Sequence, residues 1–392
     1  MSRSIAIRCT ILQGLYWPAV CVINAFAVVN LSGRGFHSGQ IGILLALAGI
    51  TSAFLQPRIG TIADKSEKIT LKKMAIGILL MLLTLLVVMF FSTGQMIFGV
   101  LYAGIISLTL TLASVINSLI FDYINAGYTI NFGVSRCAGS IGFAIVSFAI
   151  ATFLVPRNAA LIPFVGVIFY GIFLLTLLTL PVMKRQSPYK AGEKRKDDFR
   201  SFIKKYHGIV PFLLGVSCLF MFASMMFTYM IDIIIRVGGT DQDLGITNAL
   251  SAMIELPVLL GFGFLISKFK STTLLKISVV SYGVRGLALI LAGNVMQIHA
   301  SQLLQTTSMA LWIGASVYFI NQMMRPEDRM KGQTYMGGFG VLGSVIGNML
   351  GGFIINMASV TVMLSVGVGI VAVGCVLFFY SFGLQERLGA KV

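Results

Sequence analysis

Apolar stretches recur along the whole chain and are separated by short polar segments. Each stretch is long enough to cross the ~30 Å hydrocarbon core of a membrane as an α-helix. Twelve spans are predicted, at residues 10–31, 39–63, 71–92, 95–124, 133–155, 161–183, 208–235, 244–267, 273–293, 297–323, 333–357 and 361–384. Several contain internal Gly or Pro, which membrane helices tolerate because neighbouring helices satisfy the freed backbone groups. The pattern predicts an all-α membrane protein with twelve transmembrane helices.

Composition supports the same class. The chain is 57% hydrophobic and 11% charged, whereas soluble domains carry about 25% charged residues. The five cysteines show no metal-ligand spacing, and neither a nucleotide-binding loop nor a nucleophile–base pair is evident. We therefore expect no enzyme activity, no catalytic residue, no metal site and no cofactor.

The distribution of positive charge predicts how the chain is oriented. With both termini in the cytoplasm, 24 of the 29 Lys and Arg residues fall in cytoplasmic segments, and only Arg34, Arg157 and Arg236 lie outside. This bias follows the positive-inside rule. The net charge of +16 is thus explained by topology and by contact with anionic lipid, and nucleic acid is not expected as a partner. Arg136 and Arg285, the remaining two, lie within spans.

The chain divides into two halves of six spans each. A long polar segment, 184–206, separates a predicted bundle at 1–183 from a second at 207–392, and we interpret it as a basic cytoplasmic linker. Short patterns recur at corresponding places, such as Phe132-Gly133-Val134 and Phe339-Gly340-Val341. These echoes predict two repeats related by an axis along the membrane normal, with a site at their interface.

Three glycines of the eleventh span follow one another at four-residue spacing, Gly343, Gly347 and Gly351. This spacing places them on one helix face, where the missing side chains let another helix approach closely. Tight packing is the favoured interpretation; a smooth face for sliding during a transport cycle is the alternative.

Four motifs resemble those of a known family. They are Gly42 with Gln56-Pro57, Gly60 and Asp64-Lys65; Phe132-Gly133, Arg136, Gly139 and Gly142-Phe143; Met253, Glu255 and Leu256; and Val284-Arg285. Together they are similar to major facilitator superfamily transporters, in particular to the lactose permease branch of oligosaccharide–proton symporters. The resemblance implies two six-helix bundles with both termini cytoplasmic, in the bacterial cytoplasmic (plasma) membrane.

The loop after the second span contains Gly60, Asp64 and Lys65. In the family this loop has a gating role, and a carboxylate beside a helix N-terminus and a neighbouring base can latch two bundles in one state. An ordinary helix cap with topology-setting lysines is the equal alternative. The three residues form a predicted gating loop.

Two ionisable residues lie near the middle of their spans, Glu255 in the eighth and Arg285 in the ninth. An ion at this depth costs at least about 2.5–3.5 kcal/mol, so each should face a polar cavity or a partner. The resemblance assigns sugar binding and proton coupling to the matching Glu, and proton coupling to the matching Arg. A structural Glu–Arg pair is the alternative.

The resemblance also implies a substrate site on the fourth and fifth spans. In the family an acidic residue pairs with the Arg at position 136, but the family's spacing here reaches Asn117 rather than Asp122. Either Asp122 swings to Arg136 or Asn117 supplies neutral hydrogen bonds. Phe143 stands where the permease has the Trp that stacks on the sugar ring. An Arg136 that extends to the cytoplasm is a further alternative.

Other polar residues in apolar spans complete the predicted site. In the tenth span Gln302, Gln305 and Ser308 replace the ionisable relay of the permease, and Asn24 lies in the first span. Buried amides need partners, and a cavity lined by amides suits a neutral polyhydroxyl solute. Trp17 and Trp312 are candidates for ring stacking. For Asp232 the local i,i+4 salt bridge to Arg236 is favoured.

The sequence thus predicts a secondary transporter that carries a sugar or oligosaccharide with a proton, or another coupling cation, by alternating access. The alternatives are an organic-anion porter for an aromatic carboxylate, with Arg136 or Arg285 as the clamp, and a sugar exporter. A non-transporting membrane sensor or an intramembrane enzyme is the remote alternative. Expected partners are a small-molecule solute and membrane lipid, and a monomer is expected.

Overall fold

The computed structural model describes residues 2–65, 70–130, 132–182, 199–206, 208–325 and 328–387, and these ranges consist of helices joined by short turns. The α-helices are α1 (Ser2–Val20), α2 (Ala27–Ser32), α3 (Ser38–Lys65), α4 (Leu71–Phe91), α5 (Gln95–Asn125), α6 (Phe132–Ala149), α7 (Val155–Asn158), α8 (Ile162–Leu178), α9 (Phe199–Lys205), α10 (Ile209–Thr228), α11 (Met230–Arg236), α12 (Asp241–Lys268), α13 (Ser271–Leu291), α14 (Val295–Ser301), α15 (Leu311–Met323), α16 (Arg329–Met357) and α17 (Val360–Arg387).

Eleven helical segments in the described ranges are long and apolar enough to cross a membrane. Large apolar side chains remain exposed on them, for example Phe54 at 65%, Phe91 at 75% and Leu291 at 81%. Because such surface is unfavourable in water but not in lipid, the exposed rings and branched chains support the membrane assignment.

The sixth predicted span, 161–183, is a shorter apolar helix of 17 residues, α8. It stops early because Leu180 precedes Pro181, and a residue before proline disfavours the helical conformation. Basic side chains then bind the freed carbonyl groups: Arg8 donates to Thr179 O at 2.6 Å. Lys72 Nζ donates to Leu180 O at 2.5 Å. Two of the basic residues that indicated topology thus also cap a helix.

Within the described ranges, four spans are interrupted in ways that the apolar pattern did not predict. The first passes from α1 through a π-turn at Cys21–Ala25 into α2. In the fifth, a π-turn at Ile150–Leu154 separates α6 from α7. The seventh breaks at Tyr229, between α10 and α11. The tenth contains a 3-10 turn at Gln302–Gln305 and a π-turn at Thr306–Ala310. π-Bulges within α-helices are frequent at functional sites, and a 3-10 turn inside a helix often marks a hinge.

The chain forms two compact units. The first comprises Met1–Pro188 and Gly239–Met253, and the second comprises Tyr189–Gly238 and Ile254–Val392. The first unit therefore holds α1–α8 with the beginning of α12, and the second holds the rest of α12 with the other helices. The predicted boundaries 1–183, 184–206 and 207–392 stay a prediction.

The same helix pairs form inside each unit. In the first unit α1 packs against α6 and α8, and α4 packs against α5 and α8. In the second, α10 packs against α16 and α17, and α13 packs against α15 and α17. In each half, the first predicted span therefore packs against the fifth and the sixth. The third packs against the fourth and the sixth. The repeated pairing supports the duplication that the sequence echoes indicate.

The glycine face of α16 packs closely against α10 in the second unit. A Cβ atom on Gly343 would lie 2.2 Å from Ser217 O of α10, and one on Gly347 would lie 2.2 Å from Met221 O. The predicted tight packing is confirmed. In the first unit Gly142 of α6 plays the same part, because a Cβ there would lie 2.9 Å from Gly14 O of α1.

The last part of the predicted linker forms α9, which packs on the second unit. The ring of Phe202 lies 4.8 Å from that of Tyr335. Lys205 Nζ lies 2.5 Å from Asp328 Oδ2, to which Tyr206 also donates at 2.6 Å. Residues 184–198 of the linker lie outside the described ranges. Its end is an ordered helix with polar and aromatic anchors.

Candidate functional site

Glu255 and Arg285 are connected through a glutamine in the second unit. Gln305 Nε2 donates to Glu255 Oε1 at 2.5 Å, while Gln305 Oε1 accepts a hydrogen bond from Arg285 Nη1. The amide therefore presents its donor to the carboxylate and its acceptor to the guanidinium. The bridge differs from the simple Glu–Arg pair that stood as the alternative.

Arg285 is held by a second amide. It is 6% exposed, and its Nη2 donates to Gln302 Oε1 at 2.5 Å. Gln302 is itself fully buried and donates from Nε2 to Ile298 O at 3.1 Å. A buried guanidinium requires such acceptors, because an unpartnered ion away from water is strongly unfavourable.

The backbone explains why both glutamines face Arg285. Gln302–Gln305 is a 3-10 turn, and residues i and i+3 of a 3-10 turn lie one above the other. In a regular α-helix the two amides would be offset around the axis. The irregular turn in the tenth span thus builds the acceptor pair, and a periodicity analysis of the sequence does not reveal it.

The structure accordingly brings four predicted site residues together, Glu255, Arg285, Gln302 and Gln305, and we call this set the Gln305 network. Ser308, grouped with the glutamines by sequence, instead donates from Oγ to Leu304 O at 2.8 Å. What these residues bind stays a prediction.

A second polar chain crosses α5, α1 and α6 in the first unit. Arg136 lies over the indole ring of Trp17, with 3.7 Å between Cζ and the ring centroid. Trp17 Nε1 donates to Gln13 Oε1 at 3.0 Å, and Gln13 Nε2 donates to Asn117 Oδ1 at 2.9 Å. We call Asn117, Gln13, Trp17 and Arg136 the Trp17 chain.

The Trp17 chain changes how Arg136 is understood. A guanidinium stacked on an indole gains a cation–π interaction, and Arg136 Nη1 also donates to Ser140 Oγ at 3.1 Å. Arg136 is therefore fixed inside the first unit by its own neighbours. Asp122 and Asn117 are both half-buried on α5, and their pairing with Arg136 during binding stays a prediction.

Gln13 is the member that the sequence analysis missed. It is 1% exposed and uses both ends of its amide. A signal did exist: Gln13 and Trp17 stand four residues apart, and side chains at that spacing are neighbours on a helix.

The remaining predicted residues lie apart from these two groups. Phe143 is half-buried on α6, two helical turns after Arg136. Asn24 lies in the π-turn of the first span, and its Oδ1 is buried without a hydrogen-bond partner in the described ranges. Gly60, Asp64 and Lys65 fall in the last turns of α3, and the placement of their side chains lies outside what the structure describes.

The predicted salt bridge between Asp232 and Arg236 is wrong. Arg236 Nη2 instead donates to Leu289 O at 2.5 Å and to Ala292 O at 3.3 Å, at the end of α13. Asp232 Oδ2 is buried without a hydrogen-bond partner in the described ranges. The carbonyls at a helix C-terminus need donors, and here they compete successfully for the guanidinium.

Trp312 does not serve as an open stacking surface. It is 3% exposed and lies among aromatic rings, 5.6 Å from Phe378 and 6.0 Å from Phe220 between ring centroids. Packing is therefore the role that its surroundings support.

Comparisons with known proteins agree with the helical pattern. The chain matches the MFS_1 like family over residues 8–366. No curated protein sequence matches it.

Solved transporter structures share its fold. A mutant of the nucleoside transporter NupG has a TM-score of 0.81 at 17% identity, covering 96% of this chain and 99% of that one. A mutant of the peptide transporter POT has a TM-score of 0.75 at 11% identity, with coverages of 98% and 94%. A bacterial homologue of the human lysosomal transporter Spinster has a TM-score of 0.68 at 14% identity, with coverages of 97% and 96%.

These findings support a transporter rather than an enzyme, whereas the lactose permease branch stays a prediction. Because the family match extends over most of the chain, the protein belongs to the MFS_1 like family and is a multi-pass membrane transporter of the major facilitator type.

Proposed function

We propose that the protein is a proton-coupled sugar or oligosaccharide symporter of the bacterial cytoplasmic membrane. It has twelve spans with both termini in the cytoplasm and works as a monomer by alternating access. The observation that carries the proposal is the Gln305 network, in which a carboxylate inside an apolar span is hydrogen-bonded by an amide that a buried arginine also holds.

The chemistry of the Gln305 network suits both partners of a symporter. Glu255 is half-buried and takes up or releases the coupling proton. When it is ionised it accepts from Gln305, and when it is protonated it becomes a donor itself. A sugar hydroxyl donates and accepts at once, so it matches a site of carboxylate and amide groups better than an alkyl chain does.

Further roles are assigned to residues of the first unit. Arg136, Asn117 and Asp122 bind hydroxyl groups, Phe143 provides an apolar face for the sugar ring, and Asn24 offers a carbonyl oxygen that lacks a partner within the described ranges. Gly60, Asp64 and Lys65 form the gating loop. Arg285 assists coupling by holding Gln305.

The test is Glu255→Gln in proteoliposomes with an imposed proton gradient. We expect loss of uphill accumulation with counterflow exchange retained, because the amide still hydrogen-bonds but does not titrate. Asp243→Asn on the same helix is the control, since Asp243 bonds to Thr240 at the start of α12. Unchanged uphill uptake by Glu255→Gln would exclude Glu255 as the proton carrier.

A second candidate, an organic-anion porter for an aromatic carboxylate, is favoured by the Arg136–Trp17 stack. A guanidinium binds a carboxylate through two parallel hydrogen bonds, and the indole edge adds an aromatic neighbour. A substrate panel of disaccharides, nucleosides and benzoate-type anions distinguishes the two. Nucleosides are included because NupG, a nucleoside transporter, shares the fold. Uptake of the anion that sugars do not inhibit would favour the porter.

A further inference from the structure

The Trp17 chain contains a group that donates a hydrogen bond and accepts none. An indole Nε1–H is a donor only, and that of Trp17 donates to Gln13 Oε1 at 3.0 Å. The oxygen of the Gln13 amide is thereby fixed towards Trp17. Because Gln13 is 1% exposed, solvent does not offer its amide another arrangement.

The orientation of Gln13 determines that of Asn117. With its oxygen turned to Trp17, Gln13 meets its other neighbour with Nε2, which donates to Asn117 Oδ1 at 2.9 Å. An amide carries one acceptor oxygen and one donor nitrogen. The oxygen of Asn117 therefore faces Gln13, and its two N–H groups face away. Trp17 on α1 thus sets the orientation of a side chain on α5.

The N–H groups of Asn117 are accessible to a solute. Asn117 is half-buried, and its Nδ2 donates to no other group of the described ranges without being enclosed by them. An N–H group binds acceptors alone. The solute group that meets Asn117 must therefore offer an oxygen or another acceptor.

Arg136, at the other end of the chain, has the same character. Its guanidinium carries five N–H donors and no acceptor. It lies over the Trp17 ring, and its Nη1 donates to Ser140 Oγ at 3.1 Å. Both ends of the Trp17 chain are therefore donors, which suits a hydroxyl, carbonyl or carboxylate oxygen and does not suit an ammonium group.

We propose that Trp17 is a positioning residue that acts through Gln13. It holds Asn117 as a hydrogen-bond donor, so that the first unit selects solutes by an oxygen that accepts. The placing of Asn117 at the solute site rests on the proposed function, whereas its donor role holds for a sugar and a nucleoside alike. Without the indole N–H both amides are free to turn over, and Asn117 then offers its oxygen as readily as its nitrogen.

The test compares solute analogues that differ in one group. Binding of lactose and of uridine to the purified protein is measured by titration calorimetry, together with derivatives in which one hydroxyl is replaced by fluorine or by hydrogen. Fluorine accepts weakly and does not donate, whereas hydrogen does neither. A hydroxyl position that meets a donor therefore favours the fluoro form over the deoxy form.

Two variants break the chain at different members. Trp17→Phe keeps a ring beneath Arg136 but has no N–H group, and Asn117→Ala removes the amide that meets the solute. Gln13→Leu breaks the connection between them and takes the place of Trp17→Phe if that variant does not fold. Trp312→Phe is the matched control, because it makes the same replacement among the aromatic rings of the second unit.

In the wild type we expect at least one position at which the fluoro form binds severalfold more tightly than the deoxy form. Trp17→Phe and Asn117→Ala should both lose this preference at the same position. Trp17→Phe should still bind the parent compound, because a hydroxyl can donate to Asn117 Oδ1 instead. Trp312→Phe should keep the preference of the wild type.

Two results would overturn the inference. One is a wild type without a fluoro preference at any position, including a wild type that binds neither parent compound. The other is equal weakening of the hydroxyl, fluoro and deoxy forms in Trp17→Phe, which would make Trp17 a packing residue and leave the proposed function standing. A preference that is confined to uridine, without uptake of any sugar, would instead refute the sugar symporter and keep the role of Trp17.

Discussion

Neutral amides organise both polar groups of this transporter. Gln305 separates Glu255 from Arg285, and Gln13 joins Trp17 to Asn117. An amide has a donor and an acceptor at fixed separation, so it can connect two side chains without adding a charge to the apolar surroundings. Replacing either glutamine therefore removes two contacts at once.

The replacement Gln13→Leu is expected to lower stability. It leaves Trp17 Nε1 and Asn117 Oδ1 without the partners they have in the structure. An unsatisfied buried group costs about 1–3 kcal/mol, and half-buried groups such as Trp17 and Asn117 cost less, so the variant should unfold at a lower temperature in detergent. Gln242→Leu is the control, because Gln242 is exposed at the start of α12. Equal melting temperatures for the two variants would contradict the role given to Gln13.

The sequence revealed the candidate site residues more readily than the hydrogen bonds that connect them. Depth in a span identified Glu255 and Arg285, and polarity in an apolar run identified Gln302 and Gln305. Their bonds join residues 17 to 50 positions apart, and no local pattern encodes such a contact. Asp232 is the opposite case. Its i,i+4 spacing to Arg236 favours a local salt bridge, but Arg236 binds carbonyl groups at the end of α13 instead.

The elements of the fold depend on close contact between two helix pairs, α1 with α6 and α10 with α16. Both contacts use glycine on one helix against backbone carbonyls of the other. The same device in both units indicates that the packing of the fifth span of each half on the first is a shared structural requirement.

The replacement Gly347→Ala should be strongly destabilising. A Cβ there would lie 2.2 Å from Met221 O, which is backbone and cannot turn away. Overpacking of this kind typically costs about 1–3 kcal/mol. Gly338→Ala on the same helix is the matched control, since nothing lies within 4 Å of its Cβ position. That variant should melt at the wild-type temperature or slightly above it, because a Gly→Ala replacement that fits the backbone adds about 0.4–1 kcal/mol of stability. Similar loss in both variants would disprove the packing argument.

Length and hydropathy predicted most helices closely, and α4 (Leu71–Phe91) differs from the predicted span 71–92 by one residue. The pattern failed where the backbone departs from 3.6 residues per turn. The 3-10 and π-turns of the tenth span contain polar residues that mark the site, but polarity alone gives no sign of a change in helical pitch. They nevertheless decide which side chains face Arg285.

For the whole molecule, the contact between α9 and Asp328 predicts how stability depends on pH. Hydrogen bonds from Lys205 and Tyr206 hold the pKa of Asp328 below its ordinary value. A carboxyl whose pKa is lowered by folding stabilises the protein above its ordinary pKa, and this contribution disappears as the pH falls through the lowered value. Acid should therefore weaken the attachment of α9.

This prediction is measured by melting the wild type and Asp328→Asn across acidic pH. The wild type should lose more stability than Asp328→Asn as the pH falls, because the variant has no carboxylate to protonate at this site. Asp243→Asn should follow the wild type. Parallel curves for the wild type and Asp328→Asn would show that the contact contributes nothing. Lys205 is 40% exposed in its side chain, so solvent screens part of the effect.

The sequence also indicated the internal repeat, which the structure supports through the matching helix pairs of each unit. Near-equal halves and recurring glycine motifs were sufficient for that prediction. The course of α12, whose first residues group with the first unit and whose later residues group with the second, could not be anticipated. Nothing in its apolar run marks the change.

The uncharged bridge in the Gln305 network has a consequence for the energetics of the proposed cycle. Since Gln305 carries no charge, Glu255 and Arg285 cancel when the carboxylate is ionised, and one positive charge remains when it is protonated. A membrane potential acts on a moving charge with about 2.3 kcal/mol per elementary charge per 100 mV. The protonated carrier is therefore driven inward by a negative interior, whereas the return of the empty, neutral network is insensitive to voltage. Uptake by such a protein is electrogenic, with the voltage dependence confined to the loaded half of the cycle.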